Sequence, residues 1–163
     1  MWYYIGTERE GVIERMTIWW DMDGTIANLY GVEGWLDMII ARETTPYEIA
    51  KVMRNMSHLA RLMNKAQRAG YKLGVISWTA KNAPETYCDA IAKAKMDWLA
   101  KHLASVKFDE IEIVEYGMPK YQFKHTENDI LFDDETPNRE AWGNGAFDPE
   151  MMVNVLKHLT ERE

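Results

Sequence analysis

Thr17-Ile18-Trp19-Trp20-Asp21-Met22-Asp23-Gly24-Thr25 is the stretch that decides the fold. Its first four residues are β-branched or aromatic, apolar from Ile18 on, with no alternation that would leave one face wet. Such a run fits a strand buried on both faces, as strands inside a parallel sheet are. Two carboxylates one residue apart then stand where the strand would end. Gly24 permits the bend that brings the second acid back over the site. Ligands of open α/β sheets bind outside the carboxyl ends of the strands. Acids crowded there repel each other unless a cation lies between them, and a hard, oxygen-seeking ion such as Mg2+ suits them.

Three more stretches repeat the pattern. Tyr71-Lys72-Leu73-Gly74-Val75-Ile76 is a strand candidate that ends in Ser77, and Asp129-Ile130-Leu131-Phe132 is another that ends in Asp133-Asp134. Between them Asp109 to Tyr116 reads as a strand, followed by Gly117-Met118-Pro119-Lys120. A parallel sheet would gather these polar groups at one edge. Carboxylates, a hydroxyl, an ammonium and a second carboxylate pair together make a kit for handling a phosphate.

In this order the motifs resemble those of the haloacid dehalogenase superfamily, and the chain is similar to that family's small phosphatases from about Met16 onward. Asp21, Asp23, Gly24 and Thr25 carry a full DxDGT motif. Ser77 matches the second motif, Lys120 the third and Asp133-Asp134 the fourth, with Asn138 four residues on. Family members that dehalogenate lack the second Asp of the first motif, and the ion-pumping members carry Lys-Thr where this chain has Met22-Asp23, so the phosphatase branch is favoured. The resemblance implies that Asp21 is a nucleophile forming an aspartyl-phosphate and that Asp23 is the general acid and base. It implies that Ser77 and Lys120 contact the transferring group, with Gly24, Thr25 and Trp78 also at the substrate. It implies Mg2+ held by Asp21 and Asp134, by the backbone carbonyl of Asp23, and by Asp133 directly or through water. Thr79 is a rival to Ser77 and Lys124 a rival to Lys120. Ser77 is preferred because it directly ends the apolar run, and Lys120 because Gly-Met-Pro sets up a helix start.

The rest of the chain fits one α/β domain. At 163 residues, 47% hydrophobic and 28% charged, it is long enough to bury a proper core. Helical patterns fall between the strands. One runs from an N-cap at Ser57 through Leu59, Leu62, Met63 and Ala66 to Gly70. A second enters after Pro84 with Tyr87, Ile91, Ala94, Trp98 and Leu99, and a last one follows Asp148-Pro149. The expected architecture is a doubly wound, Rossmann-like three-layer α/β/α fold with a mainly parallel sheet. Its core spans residues 16–25 and 56–163, with a short helical flap or cap insert over 26–55. Residues 1–15 form an N-terminal extension, either an extra edge strand or a tail. The insert is too short for the larger caps of the family. That points to an open site, a larger substrate, or a homodimer whose second subunit completes the pocket. Tyr30, Trp35 and Tyr47 are the lid aromatics within reach of a substrate ring, unless they only pack the lid onto the core.

Composition narrows the function further. A formal charge of −7, from 26 acidic and 19 basic residues, argues against a long polyanionic partner. A small phosphorylated substrate remains compatible, since a metal and local cations can reverse the field in one pocket. The one cysteine, Cys88, reads as a small buried hydrophobe, and a cytoplasmic location is the default in the absence of an apolar run of membrane-spanning length. His58, His102, His125 and His158 share no ligand spacing. The leading reading is a Mg2+-dependent phosphomonoesterase, with a nucleoside or deoxynucleoside monophosphate as first guess. A polynucleotide phosphatase and a non-catalytic phospholigand-binding protein are the alternatives.

Overall fold

A computed structural model describes residues 15–161, so most of the N-terminal extension lies outside the described residues. Strand β1 (Thr17–Trp20) stands at the centre of a five-stranded sheet. It is flanked by β4 (Lys72–Trp78) and β6 (Ile130–Phe132), with β5 (Glu110–Val114) and β7 (Ala146–Phe147) at the edges. The order is β5-β4-β1-β6-β7, and every pairing is parallel. Both faces of β1 are covered, which is why its residues show no polar alternation.

The two faces meet different layers. Ile18, Trp20, Val75 and Phe132 face helices α3 (Met56–Arg68), α4 (Glu85–His102) and α6 (Met152–Thr160), through Leu59, Met63, Trp98 and Leu156. Trp19, Ile76 and Leu131 face the other way, where Trp142 of α5 (Thr136–Trp142) closes a smaller cluster. This is the three-layer, Rossmann-like architecture. Gly74, in register with Trp19, makes room for the indole, since a Cβ there would lie 2.3 Å from its ring. Buried Asp129 locks β1 to β6 by accepting from the Thr17 amide at 2.9 Å and the Trp19 indole at 3.1 Å.

Two local expectations need correction. Helix α3 is capped by Asn55, whose side chain accepts from the His58 amide at 3.1 Å, and Ser57 lies inside the first turn. Both residue types cap well; the chain's exit from the insert selects the earlier one. The insert is also not wholly helical. Strands β2 (Ala27–Asn28) and β3 (Lys51–Val52) form an antiparallel pair at its base, and helices α1 (Trp35–Ile40) and α2 (Thr45–Ile49) ride between them. The insert is tied to α4: the Tyr87 hydroxyl donates to the Glu43 carbonyl at 2.6 Å and the Trp98 indole to the Ala50 carbonyl at 2.8 Å. Among the described residues no helix is long and apolar enough to cross a membrane.

Candidate active site

The carboxyl ends of β1, β4 and β6 meet at one point. Asp21 follows β1, and the chain then folds tightly, with the amides of Thr25, Ile26 and Ala27 all donating to the Met22 carbonyl. Gly24, at φ +78, sits so close to the second acidic pair that a Cβ there would be 2.3 Å from Asp134 Oδ2. Thr25 Oγ1 lies 3.1 Å from Asp21 Oδ2 and 3.3 Å from Asp134 Oδ1, joining the first motif to the last. Ligand oxygens of Asp21, Asp133 and Asp134 all fall within 4.8 Å of one another.

The ionisation of these acids records their crowding. Burial, then the charge of Asp21, pushes Asp134 up to about 8. The same causes raise Asp133 to about 6, although Lys120 opposes them. An all-oxygen donor set whose members resist ionising together fits a hard divalent cation. These residues could hold a metal.

Lys120 reaches the cluster from a short 3-10 turn (Lys120–Phe123) rather than from an α-helix. Its Nζ donates to Asp21 Oδ1 at 2.9 Å and to Asp133 Oδ2 at 2.7 Å. Burial alone would lower this ammonium's pKa, but the two carboxylates outweigh it and leave it raised. Asp133 is fully buried and also accepts from Asn138 Nδ2 at 3.1 Å and the Glu135 amide at 2.9 Å. The rival Lys124 points elsewhere, donating to the Trp142 carbonyl at 2.7 Å.

Ser77 sits differently from the expectation. It is fully buried and does not line the cleft above the acids, whereas Trp78 and Thr79 do. Its Oγ accepts at 2.7 Å from Lys95, a residue that sequence reasoning passed over. Thr79 lies 3.3 Å from Cys88 Sγ, and Cys88 is half-buried rather than wholly enclosed. Lys95 also donates to Asp23 Oδ2 at 2.7 Å. Burial raises the Asp23 carboxyl, and Lys95 works against that rise. The signal for Lys95 was its place on the inward stripe of α4, beside Ile91, Ala94 and Trp98.

Above the acids lies a cleft of about 370 Å³ with mostly apolar walls. Tyr30 and Trp35 form an edge-to-face pair with centroids 5.0 Å apart, and Trp78 and Tyr116 lie 5.0 Å apart among the lining residues. Arg42, Asn82 and Asn138 supply polar groups at its margin. Of the three lid aromatics, Tyr47 is 5% exposed and packs into a cluster with Leu29, Ala80 and Tyr87 while still bordering the cleft.

The fold that carries this site recurs in a solved structure. The chain is similar to the crystal structure of D,D-heptose 1,7-bisphosphate phosphatase from Burkholderia thailandensis, with a TM-score of 0.54 and 11% sequence identity. The match covers 87% of this chain and 99% of that one. The likeness shows a shared three-layer α/β fold. No protein-family model matches the sequence, and no curated protein matches it significantly.

Proposed function

We propose that the protein is a Mg2+-dependent phosphomonoester hydrolase acting through Asp21. The observation that carries this reading is the convergence of Asp21, Asp23 and Lys120 on the lining of one aromatic cleft, with Asp133 and Asp134 clustered against Asp21. A carboxylate approaching a phosphate dianion is repelled by roughly 4 kcal/mol per pair of unit charges 4 Å apart at an effective dielectric near 20. Lys120, placed against Asp21, offsets part of that. The amides of Met22 and Asp23, which the turn does not use for itself, are further donors for phosphoryl oxygens. Mg2+ held by Asp21 and Asp134, with Asp133 and the Asp23 carbonyl in support, supplies the remaining positive charge.

The chain's own groups then account for each bond. An Asp21 oxygen attacks phosphorus as the ester P–O bond breaks, and the Asp23 carboxyl donates its proton to the departing oxygen. Asp23, now a carboxylate, takes a proton from water as that water attacks the aspartyl-phosphate. Inorganic phosphate leaves and both acids return to their starting forms. The raised Asp23 pKa is in the direction a proton donor needs. Flat walls at Tyr30, Trp35 and Trp78 favour a small substrate with a ring, and a nucleoside or deoxynucleoside monophosphate fits.

The test is phosphate release from nucleoside monophosphates, sugar phosphates, phosphopeptides and p-nitrophenyl phosphate, with Mg2+ or EDTA. Release that requires Mg2+, prefers ring-bearing esters and disappears in folded Asp21→Asn is the expected outcome. Turnover retained in folded, metal-loaded Asp21→Asn refutes the covalent route. No release by the parent from any ester leaves a phospholigand-binding role instead.

A further inference from the structure

The site contains a second buried ammonium that the hydrolytic scheme does not use. Lys95 is 1% exposed, on the inward face of α4. Its Nζ donates to Asp23 Oδ2, Ser77 Oγ and the Trp78 carbonyl, each at 2.7 Å. It stands 5.2 Å from the centre of the Tyr47 ring. A lysine ammonium has three protons, and here each has an acceptor. Two of the acceptors belong to the end of β4, which pairing with β1 and β5 holds in place. The third is the Asp23 carboxylate, which lines the cleft. Burying a charge this deeply is unfavourable unless it is fully met. Leucine or methionine would fill the same space on α4 without that demand.

From this geometry we propose that Lys95 is a positioning residue. Seated by Ser77 and the Trp78 carbonyl on the end of β4, it holds the Asp23 carboxylate at the angle from which Asp23 serves the leaving oxygen. The proposal rests on the phosphatase reading above. Lys95 is the side-chain partner of Asp23 among the described residues, and the Asp23 side chain is 19% exposed. Untied, that carboxylate is free to turn toward water. Misplacing a reacting group by about 1 Å can cost on the order of 10²-fold in rate. Ser77 thereby takes a different part from the one motif order implies. Its oxygen is occupied by Lys95 and its side chain is shut off from the cleft, so its contribution passes through Lys95 to Asp23.

Lys95→Met keeps side-chain length and removes the charge. Single-turnover phosphorylation by phenyl phosphate and p-nitrophenyl phosphate compares one ring with two leaving oxygens, only the first of which needs a proton donor. The expected result is a loss of about 10–100-fold with phenyl phosphate. The loss with p-nitrophenyl phosphate stays below about threefold, and KM for both stays within about threefold. Asp23→Asn shows the same pattern, and adding Lys95→Met to it brings no further loss with phenyl phosphate. Equal losses on the two esters, or a further loss in the double variant, overturn the proposal. Lys95→Met leaves the Asp23 carboxylate unpaired. If it folds poorly for that reason, the comparison of the double variant with Asp23→Asn decides alone. A crystal structure of Lys95→Met gives an answer that needs no turnover: the Asp23 carboxylate departs from the end of β4, and its staying in place overturns the proposal. If the parent hydrolyses neither ester, the phosphatase reading falls, while the carboxylate's position in those crystals still decides what Lys95 does.

Discussion

Gly24→Ala tests the closest approach in the site, and Gly117→Ala is its internal control. Both glycines have positive φ, +78 and +87, so either alanine adopts a left-handed backbone at about 1–2 kcal/mol. For a chain of this length each kcal/mol lowers Tm by about 2–4 °C. The two sites differ in what the new methyl meets. At Gly117 there is nothing within 4 Å, whereas at Gly24 the methyl lies 2.3 Å from Asp134 Oδ2 and 2.7 Å from its Cγ. The carboxylate must therefore swing away, breaking its 3.3 Å bond to Thr25. At 100 times its Kd, Mg2+ stabilises the parent by about 2.7 kcal/mol. Disturbing a group that orients a metal ligand weakens affinity about 10–100-fold. The Mg2+ stabilisation of Gly24→Ala then falls to about 0.4–1.4 kcal/mol at the same concentration, while Gly117→Ala keeps the full amount. Thermal melts with EDTA and with Mg2+ measure all three proteins. Equal Mg2+ responses in the two variants would show that displacing Asp134 does not matter for the cation, and the reasoning from Gly24 would be wrong.

Two further outcomes follow from the buried charges. Lys120→Met leaves Asp21 and Asp133 without their shared ammonium, and breaking such a buried pair costs about 3–5 kcal/mol. Urea unfolding in EDTA should show that loss at pH 7 and a smaller one at pH 5, where protonation of Asp133 relieves the repulsion; a loss independent of pH refutes this. The metal-free parent should also run against the usual carboxylate trend. Asp134 at about 8 and Asp133 at about 6 bind protons more tightly folded than unfolded. Their effect is to make EDTA-treated protein more stable as pH falls from about 9 toward 4. Mg2+ competes with those protons, so its stabilising effect should shrink over the same descent. Melts from pH 9 to 5 check both slopes, and parallel curves with and without Mg2+ refute the linkage.

Sequence legibility followed burial. β1, β4 and β6 were readable because burial on both faces leaves a uniform apolar run, and the acids after β1 and β6 marked where each stops. Asp21, Asp133 and Asp134 stood out for the same reason, whereas Lys120, beyond the half-buried edge strand β5, was picked out by motif order and by Gly-Met-Pro. The β2–β3 pair was not, since two-residue strands carry no periodicity. Asn55 and Ser57 both suit a helix cap, and only the path of the insert separates them. Lys95 was missed because a helical lysine ordinarily faces water; its partners Asp23, Ser77 and Trp78 come from other elements, so only the folded chain brings them together. The motif pattern pointed to Ser77 but could not tell whether its hydroxyl faces ligand or lysine.

The central place of β1 has a consequence for how the chain reaches its native state. One of its two neighbours comes late in synthesis: Asp129, which locks β1 to β6, lies 112 residues beyond Thr17. Pairings that distant are slow to close, because the intervening loop's entropy is lost before the contact forms. Until β6 arrives, Ile18, Trp19 and Trp20 offer an unpaired apolar edge, the kind of surface through which nascent chains associate wrongly. The cation cluster draws Asp21 from one side of that pairing and Asp133 and Asp134 from the other. It therefore comes into being only with that long-range pairing, so added Mg2+ should slow unfolding while leaving the rate of refolding unchanged.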